Sequence, residues 1–144
     1  MSSAPITGPV AESTARTGTA TPPAAAAAAI QGLYYVATGV WPLVHIESFL
    51  KVTGPKTDLW LVHAFSLIVA VVGAVFLVAA WRRRVPLEVA TLAIGMALAL
   101  TGIDLVFVLR RDIGPIYLVD AMIQVGLILW WSASLTRPPQ TVKL

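Results

Sequence analysis

Two histidines and a small set of carboxylates and amides stand inside or beside long apolar runs of this chain: His45, His63, Asp104, Asp120 and Gln124. An ionisable side chain in such a run is costly to keep there, and it ordinarily pairs with other polar groups or marks a path for substrate or protons. Imidazole beside carboxylate could move a proton, hold a metal or bind a polar ligand. The spacing removes several of these options. No HExxH or HxxE pair is present, so His45, His63, Glu47, Asp104 and Asp120 lack a recognisable metal-ligand pattern and no metal is expected. There is no CxxCH for haem, no cysteine to act as a thiolate and no GxSxG to present a serine, so no cofactor is expected either.

The elements that must position these residues are set by hydropathy. With 58% hydrophobic and 12% charged residues and a mean hydropathy of +0.82, the chain is far from a soluble domain, which is roughly half apolar and a quarter charged. Four apolar stretches are long enough to cross a hydrocarbon layer of ~30 Å. They are expected at about 24 to 44, 59 to 81, 85 to 109 and 115 to 135, giving an all-α four-helix transmembrane bundle over 24–135. Arg82-Arg83-Arg84 and Arg110-Arg111 stop the second and third spans. Pro42 is expected to kink the end of the first or to open a short interfacial helix, PLVHIESFLK, followed by a turn at Thr53-Gly54-Pro55. Thr57 or Asp58 can cap the second span.

Residues 1–23 are rich in Ser, Thr, Ala, Pro and Gly and are read as a disordered tail, with 136–144 as a short polar tail. The N-terminal segment lacks the basic stretch and strongly apolar core of a cleaved secretory signal. Arginines and lysines gather on the two tails and the middle loop, favouring both termini in the cytoplasm. Trp41, Trp60 and Tyr117 then form an outer aromatic belt, and Trp81, Trp130 and Trp131 an inner one. The net charge of +3 sits at span ends, where it sets topology, so no nucleic-acid partner is expected. The lipid bilayer, with a second copy or another membrane protein, is the expected partner.

Helical periodicity gives each span a polar face. His63 shares a stripe with Ser66, Ala70 and Ala74, and Asp104 one with Ala93, Ala97 and Thr101, small residues of the kind that let membrane helices approach closely. Both side chains are therefore expected to point inward. Asp120 and Gln124 are one turn apart, and Gln31, Tyr35, Thr38 and His45 align along the first span. Because the spans alternate direction, His45, His63, Asp104 and Asp120 fall in one half of the membrane, about 5 to 10 Å below the helix ends at 1.5 Å per residue. The expected site is a polar cavity in the outer half, made by His63, Asp104, Asp120, Gln124, His45, Tyr35 and Thr38. A structural role competes, with Asp104 or Asp120 paired to Arg110 or Arg111.

The segment Tyr34 to Val62, YYVATGVWPLVHIESFLKVTGPKTDLWLV, resembles a signature of small, uncharacterised bacterial four-helix membrane proteins. The resemblance implies a bacterial inner membrane, brings no known activity and draws attention to Trp41, Pro42, His45, Ser48, Phe49, Gly54, Pro55, Lys56, Asp58 and Trp60. Small multidrug transporters share the size and helix number but rely on an acid in the first span, and here no carboxylate precedes Glu47 in that span. The function expected is a membrane binding or partner module. The alternatives are a membrane-embedded enzyme using His63 with Asp104 and Asp120, and a small transporter subunit.

Overall fold

The computed structural model describes residues 21–136; of the tails expected at 1–23 and 136–144, residues 1–20 and 137–144 lie outside the described residues. Five helices follow in order: α1 (Pro22–Val44), α2 (Ile46–Thr53), α3 (Leu59–Trp81), α4 (Leu87–Leu109) and α5 (Tyr117–Thr136). Four of them, all but α2, are long and apolar enough to cross a membrane. Pro22 and Pro23, assigned from sequence to the disordered tail, instead form the first turn of α1, where the missing N–H would be unpaired in any case.

α1 also runs further than its proline suggests, passing through Pro42 to Val44. The short helix therefore starts at Ile46 and not at Pro42, with His45 as its N-cap: its ring Nδ1 accepts the Ser48 N–H at 3.2 Å. Trp41 ties α2 back to α1, donating its indole N–H to Ser48 Oγ at 2.8 Å and meeting Phe49 edge-on at 5.6 Å. Asp58 occupies the N-cap of α3 but makes no side-chain cap. Pro86 sits just before α4 in extended geometry, so α4 begins at Leu87, two residues later than its sequence span; α5 also begins two residues late, at Tyr117.

α3 and α4 end alike. The N–H groups of Arg83 and Arg84 reach Ala80 O and Ala79 O at 3.0 and 3.1 Å, and those of Arg111 and Asp112 reach Val108 O and Phe107 O at 3.0 and 2.9 Å. This is the Schellman ending, with Arg83 and Arg111 at φ 50° and 63° in the left-handed position usually taken by glycine.

The bundle is inverted relative to a soluble protein. Leu33, Leu61, Ile68, Leu98, Val119, Met122 and Leu129 are exposed on its outside, whereas its interior holds mostly alanines, with Tyr35, Val69, Phe76, Leu127, Trp131 and several polar side chains. Association of such helices depends on close packing and interhelical hydrogen bonds, since lipid is as apolar as leucine. α1 is the central element: it packs chiefly on α3, also meets α4 and α5, and α4 packs on α5. The α1–α3 crossing is backbone on backbone. A Cβ on Gly32 would lie 2.8 Å from Gly73 O, and one on Gly39 would lie 2.6 Å from Ser66 O, so only glycine allows this approach. Ala27 and Ala28 of α1, Ala90 and Ala93 of α4, Phe76 of α3 and Trp131 of α5 fill the core around it.

Candidate functional site

A side-chain hydrogen-bond chain crosses the centre of the bundle from α5 to α1 and back. Trp131 Nε1–H donates to Gln31 Oε1 at 2.6 Å. Gln31 Nε2 donates to Ala93 O on α4 at 2.9 Å and to the Tyr35 hydroxyl at 3.0 Å. Tyr35 donates to Gln124 Oε1 at 3.0 Å, and Gln124 Nε2 donates to Asp120 Oδ1 at 3.3 Å. Tyr34 donates to that same carboxylate oxygen. Gln31, Tyr35 and Trp131 are completely buried, and Gln124 nearly so.

The direction of every bond in this chain is fixed by chemistry. An indole N–H can only donate and a main-chain carbonyl can only accept, so Trp131 and Ala93 O together dictate which end of the Gln31 amide faces which partner. Tyr35 then accepts from Gln31 and must donate onward, which turns the Gln124 amide so that its NH₂ faces Asp120. All donors point toward one end, and Asp120 Oδ1 is the terminal acceptor. From Asp120 to Trp131 along α5 is eleven residues, or about 16 Å.

Asp104 stands beside Asp120 at this terminus. It lies on the buried face of α4 with Ala90, Ala93 and Ala97, the last two from the Ala93, Ala97 and Thr101 stripe on which the sequence placed it. Its residue surface is 4% exposed, and its Oδ2 has no hydrogen-bond partner among the described residues. The arginines offered by the sequence are elsewhere: Arg110 pairs with Asp112 at 3.1 Å on the surface. Two carboxyl groups in contact inside an apolar bundle repel if both are charged, so they either share one proton between them or take a positive charge or a donor hydrogen from outside the pair.

The other candidate residues make no hydrogen bond to the side chains of this cluster. His63 is half-buried and its Nδ1 bonds Leu59 O of its own helix at 2.7 Å. Thr38 Oγ1 likewise donates to Tyr34 O at 2.8 Å, and His45 is the exposed cap of α2. Asp104, Asp120, Gln124 and Tyr35 are brought together; His63, His45 and Thr38 are not part of their hydrogen-bonded chain. Tyr34, Gln31 and Trp131 complete it. Gln31 stood on the polar stripe of the first span, but Tyr34 carried no signal beyond its hydroxyl. Trp131 corrects the inner aromatic belt: Trp81 is 86% exposed and Trp130 36%, but Trp131 is in the core. The network also reaches beyond the half of the bundle expected from sequence, because Gln31 and Trp131 lie toward the Arg82 to Arg84 end.

Around the α2 end, Lys56 Nζ is 5.2 Å from the ring centroid of Tyr117 and donates to Thr53 O at 3.0 Å, which draws the loop between α2 and α3 over the start of α5. Among the described residues no group of three or more His, Cys, Asp or Glu has the geometry to hold a metal ion. Comparison with protein-family models, curated proteins and solved structures finds no match to this chain.

Proposed function

We propose that this chain is a non-enzymatic, multi-pass membrane binding module whose site is the Asp104–Asp120 carboxyl pair. The pair takes the cationic or hydrogen-donating group of a small molecule, a lipid or a partner protein, a second copy included. The observation that carries this reading is Asp104 Oδ2, buried and unpartnered beside a carboxylate whose own donors, Tyr34 and Gln124, are already in place. A buried acceptor without a partner costs about 1–3 kcal/mol, so a ligand that supplies the missing donor gains what the folded chain gives up.

An enzyme built on His63 would need that ring beside a carboxylate, and the ring is engaged with Leu59 O. A transporter would need a second way out, and toward the arginine end the polar chain stops at the fully buried, donor-only indole of Trp131. The first observation weighs against the enzyme, and the second against a polar passage through the bundle. The likeness of residues 34 to 62 to bacterial four-helix proteins, and the arginines at one end, support a bacterial inner membrane with both termini cytoplasmic. In that orientation the carboxyl pair belongs to the outer half.

Methylammonium, with methanol as its neutral counterpart, is the probe. In detergent at fixed ionic strength, methylammonium should raise the thermal midpoint with concentration and methanol should not, because only a ligand of the folded state shifts the equilibrium. Asp104→Asn and Asp120→Asn should each remove the effect. An equal shift in wild type and both variants would remove the carboxyl pair as the site.

A further inference from the structure

At the opposite end of the bundle, a groove of about 440 Å³ opens between the first turns of α1 and the last turns of α3. Its floor is Ala25, Ala29, Leu77 and Ala80, and its rim is Trp81 and Arg83. The alanines create it: at these positions a larger side chain would fill the space between the two helices. Ala25 to Ala29 is one helical turn, about 6 Å running inward from the rim, so the groove leads from the membrane surface toward the hydrocarbon.

Among the described residues the rim carries charge without a local counterpart. Arg82, Arg83 and Arg84 are exposed, and the one ion pair among the described residues, Arg110–Asp112, is at the far end of α4. Glu88, the acid of this end among the described residues, is on α4 and does not line the groove. The Schellman ending of α3 holds Arg83 in the left-handed conformation, which fixes the chain direction at the rim. An exposed tryptophan beside the arginines is at home at the headgroup level.

We propose that this groove is a site for one anionic phospholipid, an acyl chain lying along Ala25, Ala29 and Ala80 and the headgroup phosphate held by Arg83 with Arg82 and Arg84. The two parts demand an amphiphile. A soluble anion would use the arginines and leave the apolar floor empty; a zwitterionic lipid would fill the floor and gain little from the charge. Basic pockets between membrane helices recognise anionic headgroups on these grounds. The site shares no residue with the carboxyl pair and does not depend on the function proposed for it.

The test uses the full chain in neutral detergent micelles doped with phosphatidylglycerol, with phosphatidylcholine, or with inorganic phosphate at matched ionic strength. Lipid retention is read by native mass spectrometry and stabilisation by the thermal midpoint. Phosphatidylglycerol should be retained and stabilising, phosphatidylcholine much less so, and inorganic phosphate without effect. Ala29→Phe, which fills the groove and keeps every arginine, should weaken phosphatidylglycerol binding about tenfold, the equivalent of roughly two methylenes no longer buried. Arg83→Gln should weaken it about fivefold. Ala25→Phe serves if Ala29→Phe fails to give helical, monodisperse protein. Undiminished phosphatidylglycerol binding in the groove-filling variant would reduce the site to surface electrostatics or show that residues 1–20 occupy the groove. Equal retention of phosphatidylcholine, or stabilisation by phosphate alone, would equally overturn the proposal.

Discussion

Trp131 and Gln31, one hundred residues apart in sequence, meet in the centre of the bundle with the indole N–H 2.6 Å from the amide oxygen and both side chains fully buried. That contact sets the polarity of the whole chain of donors that ends at Asp120. It also joins the last helix to the first, the pairing that no local signal specifies.

Gln31→Leu leaves the Trp131 N–H and the Tyr35 hydroxyl each short of a partner and should cost about 1–2 kcal/mol. Trp131→Phe should cost a comparable amount. The double variant should be less damaging than the two single changes added together, because no buried donor is then left facing an empty position. Denaturant unfolding in mixed micelles measures all three.

Gly73→Ala should destabilise by about 1–3 kcal/mol, since its Cβ would press on Gly32 O and on the Tyr35 Cβ, both at 2.8 Å, and neither backbone nor Tyr35 has room to give. Gly102→Ala is the control. Nothing lies within 4 Å of the added methyl, so the helical gain of up to about 1 kcal/mol should appear undiminished in the same thermal measurement.

Arg111→Gly should stabilise by about 0.5–1 kcal/mol, because the left-handed position at the end of α4 is held by a side chain that disfavours it. A loss of stability on thermal unfolding would mean that the arginine makes a contact worth more than its backbone conformation costs.

Single cysteines report the orientation. In spheroplasts, Lys56→Cys and Ile113→Cys should react with an impermeant maleimide, and Arg83→Cys should react only after permeabilisation. The reverse pattern would invert the molecule and move the carboxyl pair to the cytoplasmic half.

How far these features were legible in the sequence depended on how local they were. α3 matched its hydropathy span from Leu59 to Trp81, because an uninterrupted apolar run and a triple arginine leave little choice. Asp104 could be placed inward from Thr101 one turn before it and from Ala97 and Ala93 two and three turns before it. Tyr34 could not be found in this way: Tyr34 and Tyr35 point about 100° apart on one helix, and both face inward only because α1 is surrounded by α3, α4 and α5. Trp130 and Trp131 were indistinguishable by position near a helix end. Gln31, a hundred residues away, decides which of them enters the core. His63 lay on a small-residue stripe yet satisfied its ring within its own first turn, a competition between local and interhelical partners that periodicity does not resolve.

The central claim is that Asp104 and Asp120 act as one unit, and a double-mutant cycle on Asp104→Asn and Asp120→Asn tests it most directly. With unfolding free energies measured in the same micelles, the account predicts a coupling of about 1 kcal/mol or more, because either amide alone supplies the donor that relieves the pair and the second adds little. Additivity within about 0.5 kcal/mol would contradict it, leaving two independent carboxyl groups and no shared site.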